Sequence, residues 1–336
     1  MTVRVGINGF GRIGRTVLRA ALDQQDTNFE IVAANDLRDL ETQAHLLKYD
    51  SVHGIWDHDV ETAPGKLIVD GREITALSSR DPRELGWGDQ GVDIVIEGTG
   101  KFNDADNARA HIEAGAKKVI ITAPAKHEDA TFVMGVNDDL YDPERHDVIS
   151  NASCTTNCLA PLVKPFLDNF GIERGFMTTV HAYTGDQRLV DSKHKDLRRA
   201  RAAAVNVVPT TSGAAKAIGL VIPELKGRLD GYAVRVPVPD GSLTDVTIEA
   251  SRQASVDDIL AVYREAAEQQ LKGYLQYSEA PIVSSDIVGN QYSTVFDAPL
   301  VRVIGTTVKL VGWYDNEFGY SSRVVDLTKL VASKLG

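Results

Sequence analysis

Cys154 and His181 are the residues of this 336-residue chain whose types and settings most directly promise chemistry. Cys154 stands in Ser150-Asn151-Ala152-Ser153-Cys154-Thr155-Thr156-Asn157-Cys158, after an apolar strand-like run over 147–149 and before a segment spaced for a helix. A thiol at a helix N-terminus feels the positive end of the peptide dipoles, which favours the thiolate. The hydroxyls and the asparagine crowded around it suit a site that handles oxyanions. A nucleophilic thiol needs a base, and His181 is the best placed of eight histidines, at the end of a strand-like run in Thr178-Thr179-Val180-His181-Ala182-Tyr183-Thr184. A Cys–His pair of this kind predicts covalent catalysis. Cys158 lies four residues beyond Cys154, on the same helical face. A disulfide partner is one reading, but its geometry is demanding, and a small buried packing residue is the reading favoured here. No histidine has a metal-ligand spacing with the cysteines, so no metal site is expected.

The elements that must position this pair fall into two domains. Val3 to Asn8 is a short apolar strand that meets Gly9-Phe10-Gly11-Arg12-Ile13-Gly14, a complete G-x-G-x-x-G, and Val17, Leu18, Ala21 and Leu22 follow at helical spacing. The glycines allow a tight turn, close approach to a pyrophosphate and close helix packing, and the helix start offers amides to phosphate. A second strand, Glu30 to Ala34, ends in Asn35-Asp36. An acid there takes both hydroxyls of an adenosine ribose and repels a 2′-phosphate, which favours NAD over NADP. Val92 to Glu97 and Lys118 to Thr122 read as further buried parallel strands, with a helix-like stretch over Asn103 to Ala114 between them. The loop Gly98-Thr99-Gly100 sits at a strand's carboxyl end, where such sheets bind ligands.

After residue 170 longer alternating strands take over: Gly175 to Ala182, Gly231 to Val238, Leu243 to Ala250 and Thr307 to Tyr314. Helices are expected over Gly213 to Leu220 and Val256 to Leu271, the latter opened by a Ser255–Asp258 capping box. The fold class expected is therefore α/β: a doubly wound parallel Rossmann sheet over 1–152, then an α+β catalytic domain with a mostly antiparallel or mixed sheet over 153–318. A C-terminal helix over 319–336 is expected to pack back on the first domain.

Composition narrows the function. A hydrophobic fraction of 43% and a net charge of −11 describe an ordinary acidic globular chain, unsuited to nucleic acid as main partner. The local basic run Lys193 to Arg201 reads as a solvated loop or subunit contact. No apolar run approaches the ~20 residues of a membrane span. With two cysteines and no signal-peptide pattern, the cytoplasm is the expected compartment.

INGFGRIGR (Ile7 to Arg15), ASCTTNC (Ala152 to Cys158), HAYTGDQ (His181 to Gln187), SGAAKA (Ser212 to Ala217), RVPVPDGS (Arg235 to Ser242) and WYDNEFGY (Trp313 to Tyr320) together resemble glyceraldehyde-3-phosphate dehydrogenases, in order and nearly end to end. The resemblance implies that Cys154 attacks an aldehyde, that His181 takes the hydroxyl proton as hydride leaves for NAD, and that inorganic phosphate releases the resulting thioester. It implies a substrate-phosphate site at Thr184 and Arg235, and an attacking-phosphate site at Ser153, Thr155, Ser212 and Gly213, with Arg201 close to both. Cofactor contacts carry over to Gly9, Gly11, Arg12, Ile13, Gly14, Asp36, Arg80, Thr99, Thr122, Asn316 and Tyr320. A homotetramer is implied as well. Two departures stand out: Ser212 where threonine is usual, and Asp191-Ser192-Lys193 in place of an Asp-Leu-Pro common in NAD-specific members. The rival readings are an erythrose-4-phosphate dehydrogenase that hydrolyses its thioester, and a non-catalytic scaffold on the same fold.

Overall fold

The computed structural model describes residues 2–24 and 26–335 as two compact units. The first comprises Met1–Phe132, Asp138–Ala152 and Ser321–Gly336; the second comprises Val133–Asn137 and Ser153–Tyr320.

The first unit is built on a nine-stranded sheet. Its parallel part runs Ala130–Thr131, Val148–Ser150, Lys118–Ile121, Ile94–Glu97, Val3–Asn8, Phe29–Asn35, Arg72–Leu77, and an antiparallel edge, Lys66–Val69 and Val60–Ala63, completes it. The central strands bury every residue over Ile94–Glu97 and Lys118–Ile121, as strands covered on both faces must. The strand order reverses at Val3–Asn8, whose neighbours are Phe29–Asn35 on one side and Ile94–Glu97 on the other. Such a reversal opens a crevice at the carboxyl ends. The edge hairpin is invisible to a search for apolar runs, because Val60–Ala63 carries no fully buried residue. The helix expected over 103–114 is instead two short pieces, Ala105–Ala108 and Ala110–Glu113, which meet at Arg109. From Ser321 onward the helix Phe318–Ser333 belongs to this unit: Asn28 Nδ2 donates to the Lys329 carbonyl (3.0 Å) and Lys329 pairs with Asp26 (2.8 Å).

The second unit holds an eight-stranded mixed sheet, ordered Val208–Thr211, Leu229–Val236, Ile172–Ala182, Ser242–Ala250, Thr307–Tyr314, Thr294–Asp297, Leu275–Ser278, with Arg302–Ile304 also on Thr307–Tyr314. Its longest pairings are antiparallel except Ile172–Ala182 with Leu229–Val236. Burial alternates along Ser242–Ala250, so one face is covered while the other stays open. Phe176 (72% exposed) and Tyr232 (52% exposed) stand outside the core. The helix Val256–Glu268 carries the capping box read from Ser255 and Asp258. The helix Cys154–Phe170 continues through Pro161 and Pro165. An interior proline costs about 3 kcal/mol. Leu159, Leu162, Val163 and Phe166 are all fully buried on this helix, and at about 1.5–3 kcal/mol each they outweigh that cost. Among the described residues no helix is long and apolar enough to cross a membrane.

Candidate active site

Three parallel strands of the first unit end side by side, with Asn8 in register with both Asn35 and Glu97. The turns that follow them line a cleft formed by Gly9, Gly11, Asp36, Arg38, Ser79, Arg80, Thr99 and Lys101, among others. Two glycines of the motif, Gly9 and Gly14, have a distinct steric reason. Gly9 has φ +94°, and a Cβ there would lie 2.7 Å from the Thr99 amide nitrogen. A Cβ on Gly14 would lie 2.2 Å from the Gly9 carbonyl oxygen, so helix and loop could not close up. At Gly11 a Cβ would meet nothing within 4 Å. That open space adjoins the start of helix Arg12–Asp23, whose first amides have no side-chain cap. Uncapped amides beside space that only glycine leaves free fit a pyrophosphate.

Glu97, fully buried, organises the cleft from beneath. It accepts from Asn8 Nδ2 (2.6 Å), from the Thr99 amide (2.7 Å) and from the Thr99 hydroxyl. Asn35 Nδ2 in turn donates to Asn8 Oδ1 (2.7 Å). Behind Glu97, Trp87 Nε1 donates to His111 Nδ1 (2.9 Å). An indole N–H can only donate, so His111 carries its proton on Nε2 and directs it to Glu97 at 3.0 Å. Sequence reasoning passed over His111 because its partners, Trp87 and Glu97, are 24 and 14 residues away. Of the other residues expected at the cofactor, Arg12 forks onto Asp50 (3.0 and 3.2 Å), and Thr122 donates from its hydroxyl to the Glu97 carbonyl. Ile13 lies in the first helical turn and is partly buried.

In the second unit Cys154 is the first residue of its helix, and Ser153 is the N-cap, accepting from the Thr156 amide (3.0 Å). Ala152, just before, takes a left-handed backbone (φ 56°) and is almost fully buried. Cys154 Sγ lies 3.4 Å from His181 Nε2. His181 Nδ1 is 2.7 Å from the Ala182 carbonyl and 2.9 Å from Arg235 Nη1. Arg235 also donates to the Ala182 carbonyl (3.0 Å). We assign the imidazole proton to Nδ1, donating to the shorter carbonyl contact, which leaves the Nε2 lone pair facing the thiol. The Tyr314 ring meets His181 edge-on at 5.8 Å.

The electrostatics differ from the expectation of a lowered thiol. Burial pushes the Cys154 thiol up, against the pull of Arg235 and of hydrogen bonds from Thr155. Burial, and then the Arg235 cation, push the His181 imidazole down to about 3. The resting pair is thus a neutral thiol beside a neutral imidazole, and the helix start offsets only part of the desolvation. Cys154 as a whole residue is only partly buried. Cys158, by contrast, is fully buried against Thr294 and the Gly312 carbonyl, with its thiol pushed up to about 12 by burial. That environment matches a packing residue.

The remaining site residues divide. Arg235 reaches Thr184 Oγ1 at 3.5 Å, and its Nε is buried without a partner. Thr155 is turned inward, its hydroxyl 2.9 Å from the Tyr314 hydroxyl, which also meets Thr179. Arg201 forms an exposed pair with Asp191 (2.7 Å). Ser212 accepts from the Ala214 amide, and Gly213 caps helix Ala214–Val221. Ser212 lines a depression with Arg198, Thr210 and Lys216 that does not include Cys154 or His181. Within the basic run Arg199 pairs with Asp186 and His194 meets Asp186 and the Asp196 carbonyl, while Lys193, Lys195 and Arg198 are exposed, as a solvated loop requires. Asn316 Oδ1 accepts from Ser242 Oγ (2.6 Å), which fixes the amide with its NH2 as the end left to donate. The Asn316 backbone donates to Asp240, whose carboxyl is held protonated by burial beside Asp315. Ser242, Asp240 and Asp315 lie inside quoted motifs but give no sign of these contacts in sequence. Tyr320 is nearly fully buried.

Family models match the two halves: residues 3–105 match "Glyceraldehyde 3-phosphate dehydrogenase, NAD binding domain", and residues 153–316 match "Glyceraldehyde 3-phosphate dehydrogenase, C-terminal domain". The chain is 61% identical over its whole length, and theirs, to glyceraldehyde-3-phosphate dehydrogenase 1 of Streptomyces avermitilis and glyceraldehyde-3-phosphate dehydrogenase 2 of Streptomyces arenae. It is 60% identical, again over both full lengths, to glyceraldehyde-3-phosphate dehydrogenase of Mycobacterium tuberculosis.

Proposed function

Because the chain belongs to the glyceraldehyde-3-phosphate dehydrogenase family, we propose that Cys154 and His181 carry the NAD-dependent oxidative phosphorylation of glyceraldehyde 3-phosphate to 1,3-bisphosphoglycerate. The observation behind this assignment is the 3.4 Å approach of Sγ to Nε2 in a neutral pair. As Sγ attacks the aldehyde carbon, Nε2 takes the thiol proton and returns it to the new oxygen, giving a thiohemiacetal. Nε2 then takes the hydroxyl proton as hydride leaves, and a thioester remains. NAD, when bound, supplies the hydride acceptor. Phosphate attacks the thioester carbonyl, the C–S bond breaks as Nε2 returns its proton to the leaving sulfur, and the acyl phosphate departs with the oxidation energy conserved.

The unpartnered buried Nε of Arg235, beside Thr184, supports a role in holding the substrate phosphate. Ser153, Thr155, Ser212, Gly213 and Arg201 form the proposed site for the attacking phosphate. The Thr155 hydroxyl already meets Tyr314 and the Cys154 thiol, so its part in holding phosphate falls first to its helix-start amide. Asn316, with its NH2 oriented by Ser242, is assigned to the nicotinamide carboxamide, and Tyr320 to the surrounding packing. A homotetramer in the cytoplasm is the proposed setting; Phe176, Tyr232, Leu189 and Leu197, all exposed, support burial against other copies. Light scattering should then give a mass of about four chains, and a monomer would remove that part.

Phosphate dependence tests the reaction. With phosphate, reduced cofactor should accumulate over many turnovers. Without it, formation should stop after about one equivalent per active site, the amount stored as thioester. A steady rate indifferent to phosphate would instead point to a hydrolysing erythrose-4-phosphate enzyme.

A further inference from the structure

Arg38 stands two residues beyond the ribose-facing acid, and its planar fork lies directly on it. Nε donates to Asp36 Oδ1 at 2.9 Å and Nη2 to Oδ2 at 2.6 Å. The Arg38 amide also donates to Oδ1 (3.0 Å), and Nη2 reaches the Phe10 carbonyl in the glycine loop (3.0 Å). The Asp36 side chain is only 11% exposed, whereas that of Arg38 is 39% exposed. Nη1 has no hydrogen bond among the described residues, so Arg38 presents a free donor edge outward.

The acid that would repel a 2′-phosphate is thus already neutralised by its neighbour. The remaining charges in the cleft reinforce this. Asp36 is the one acid among the lining residues, against Arg38, Arg80 and Lys101. Arg80 forms no ion pair among the described residues. Its loop is clamped in place, since Ser79 exchanges hydrogen bonds with the Asn35 amide in both directions (2.9 Å each). An acid at this strand end selects a bare ribose, and an arginine nearby accommodates a 2′-phosphate; this cleft contains both.

We propose that the cleft accepts a dinucleotide bearing a 2′-phosphate on its adenosine ribose as well as NAD, with Arg38 and Arg80 holding that phosphate. The proposal rests on the cofactor reading of the cleft. Asp36 serves the bare ribose, and Arg38 both cancels the acid's repulsion and offers its open edge to the phosphate.

Titration of NAD and NADP into the chain without substrate, followed by calorimetry, tests it with no catalytic step. The parent's two dissociation constants are expected within about tenfold of each other. In Arg38→Ala the ratio of the NADP to the NAD constant should rise by at least about tenfold, because a bare Asp36 would face the phosphate. In Asp36→Ala the same ratio should fall, with NAD weakened. A parent that binds NAD but not NADP, or an Arg38→Ala variant with an unchanged ratio, would overturn the proposal. If Asp36→Ala leaves both constants unmoved, the cleft is not the ribose site, and the cofactor reading fails with it.

Discussion

Cys154→Ser should lose dehydrogenase activity by roughly 10⁴-fold or more, the scale seen when a catalytic nucleophile is removed. The reason is specific to this pocket. Burial already pushes the thiol up, and a hydroxyl is far harder to ionise than a thiol, so the neutral His181 cannot draw off its proton to comparable effect. The change is one atom in a partly exposed position at the first residue of a helix, so folding should be unaffected. The measurement is reduced-cofactor formation with glyceraldehyde 3-phosphate and phosphate, alongside calorimetric NAD binding to show an intact first unit. Activity within tenfold of the parent would remove Cys154 from the mechanism.

His181→Gln should lower the rate by about 10²–10⁴-fold, the usual contribution of a positioned base. It should also change the pH profile, which a merely structural loss would not do. In the parent the imidazole is pushed down to about 3, so it stays unprotonated, with its lone pair free, from neutral pH down through the ordinary imidazole range. No acid limb near pH 6.5 is therefore expected. Without the base, attack depends on the small thiolate fraction of a raised thiol. Below the thiol pKa that fraction grows about tenfold per pH unit. The residual rate of the variant, and its rate of alkylation by iodoacetamide, should therefore rise steadily with pH. A parent profile with an acid limb centred on the ordinary imidazole value would contradict the buried neutral His181.

What the sequence disclosed about the site depended on how far apart the interacting residues lie. The glycine motif was legible because strand, turn and helix are contiguous, and the steric demand at Gly14 arises within that one turn, whereas that at Gly9 comes from the distant Thr99. Asp36 was legible as a strand-end acid. Its neutralisation by Arg38 was not, because whether a residue two positions on doubles back is decided by the turn and by the Phe10 carbonyl that anchors it. The thiol shows the same division. A helix start at Cys154 follows from local spacing, but the direction of its ionisation comes from burial, to which distant strands contribute. Thr155 looked available to an anion, yet it meets a tyrosine 159 residues later. Helices with strong caps, such as the one opened by Ser255, were placed closely at their starts. The edge hairpin over residues 60–69 escaped because its first strand has a polar, exposed surface that carries little periodic signal.

The left-handed turn at Ala152 has a consequence for how the nucleophile keeps its aim. A non-glycine residue with φ 56° gives up about 1–2 kcal/mol, and at 1% exposure this one has no room for a larger side chain. Glycine would relieve the strain but free the turn to explore other conformations. Alanine is the compromise, small enough to fit yet bulky enough to narrow the choice. The direction in which Ser153 and Cys154 leave the turn is set in good part by what the backbone cannot do. A constraint made of steric exclusion involves no charge, so neither salt nor a change of pH can loosen it.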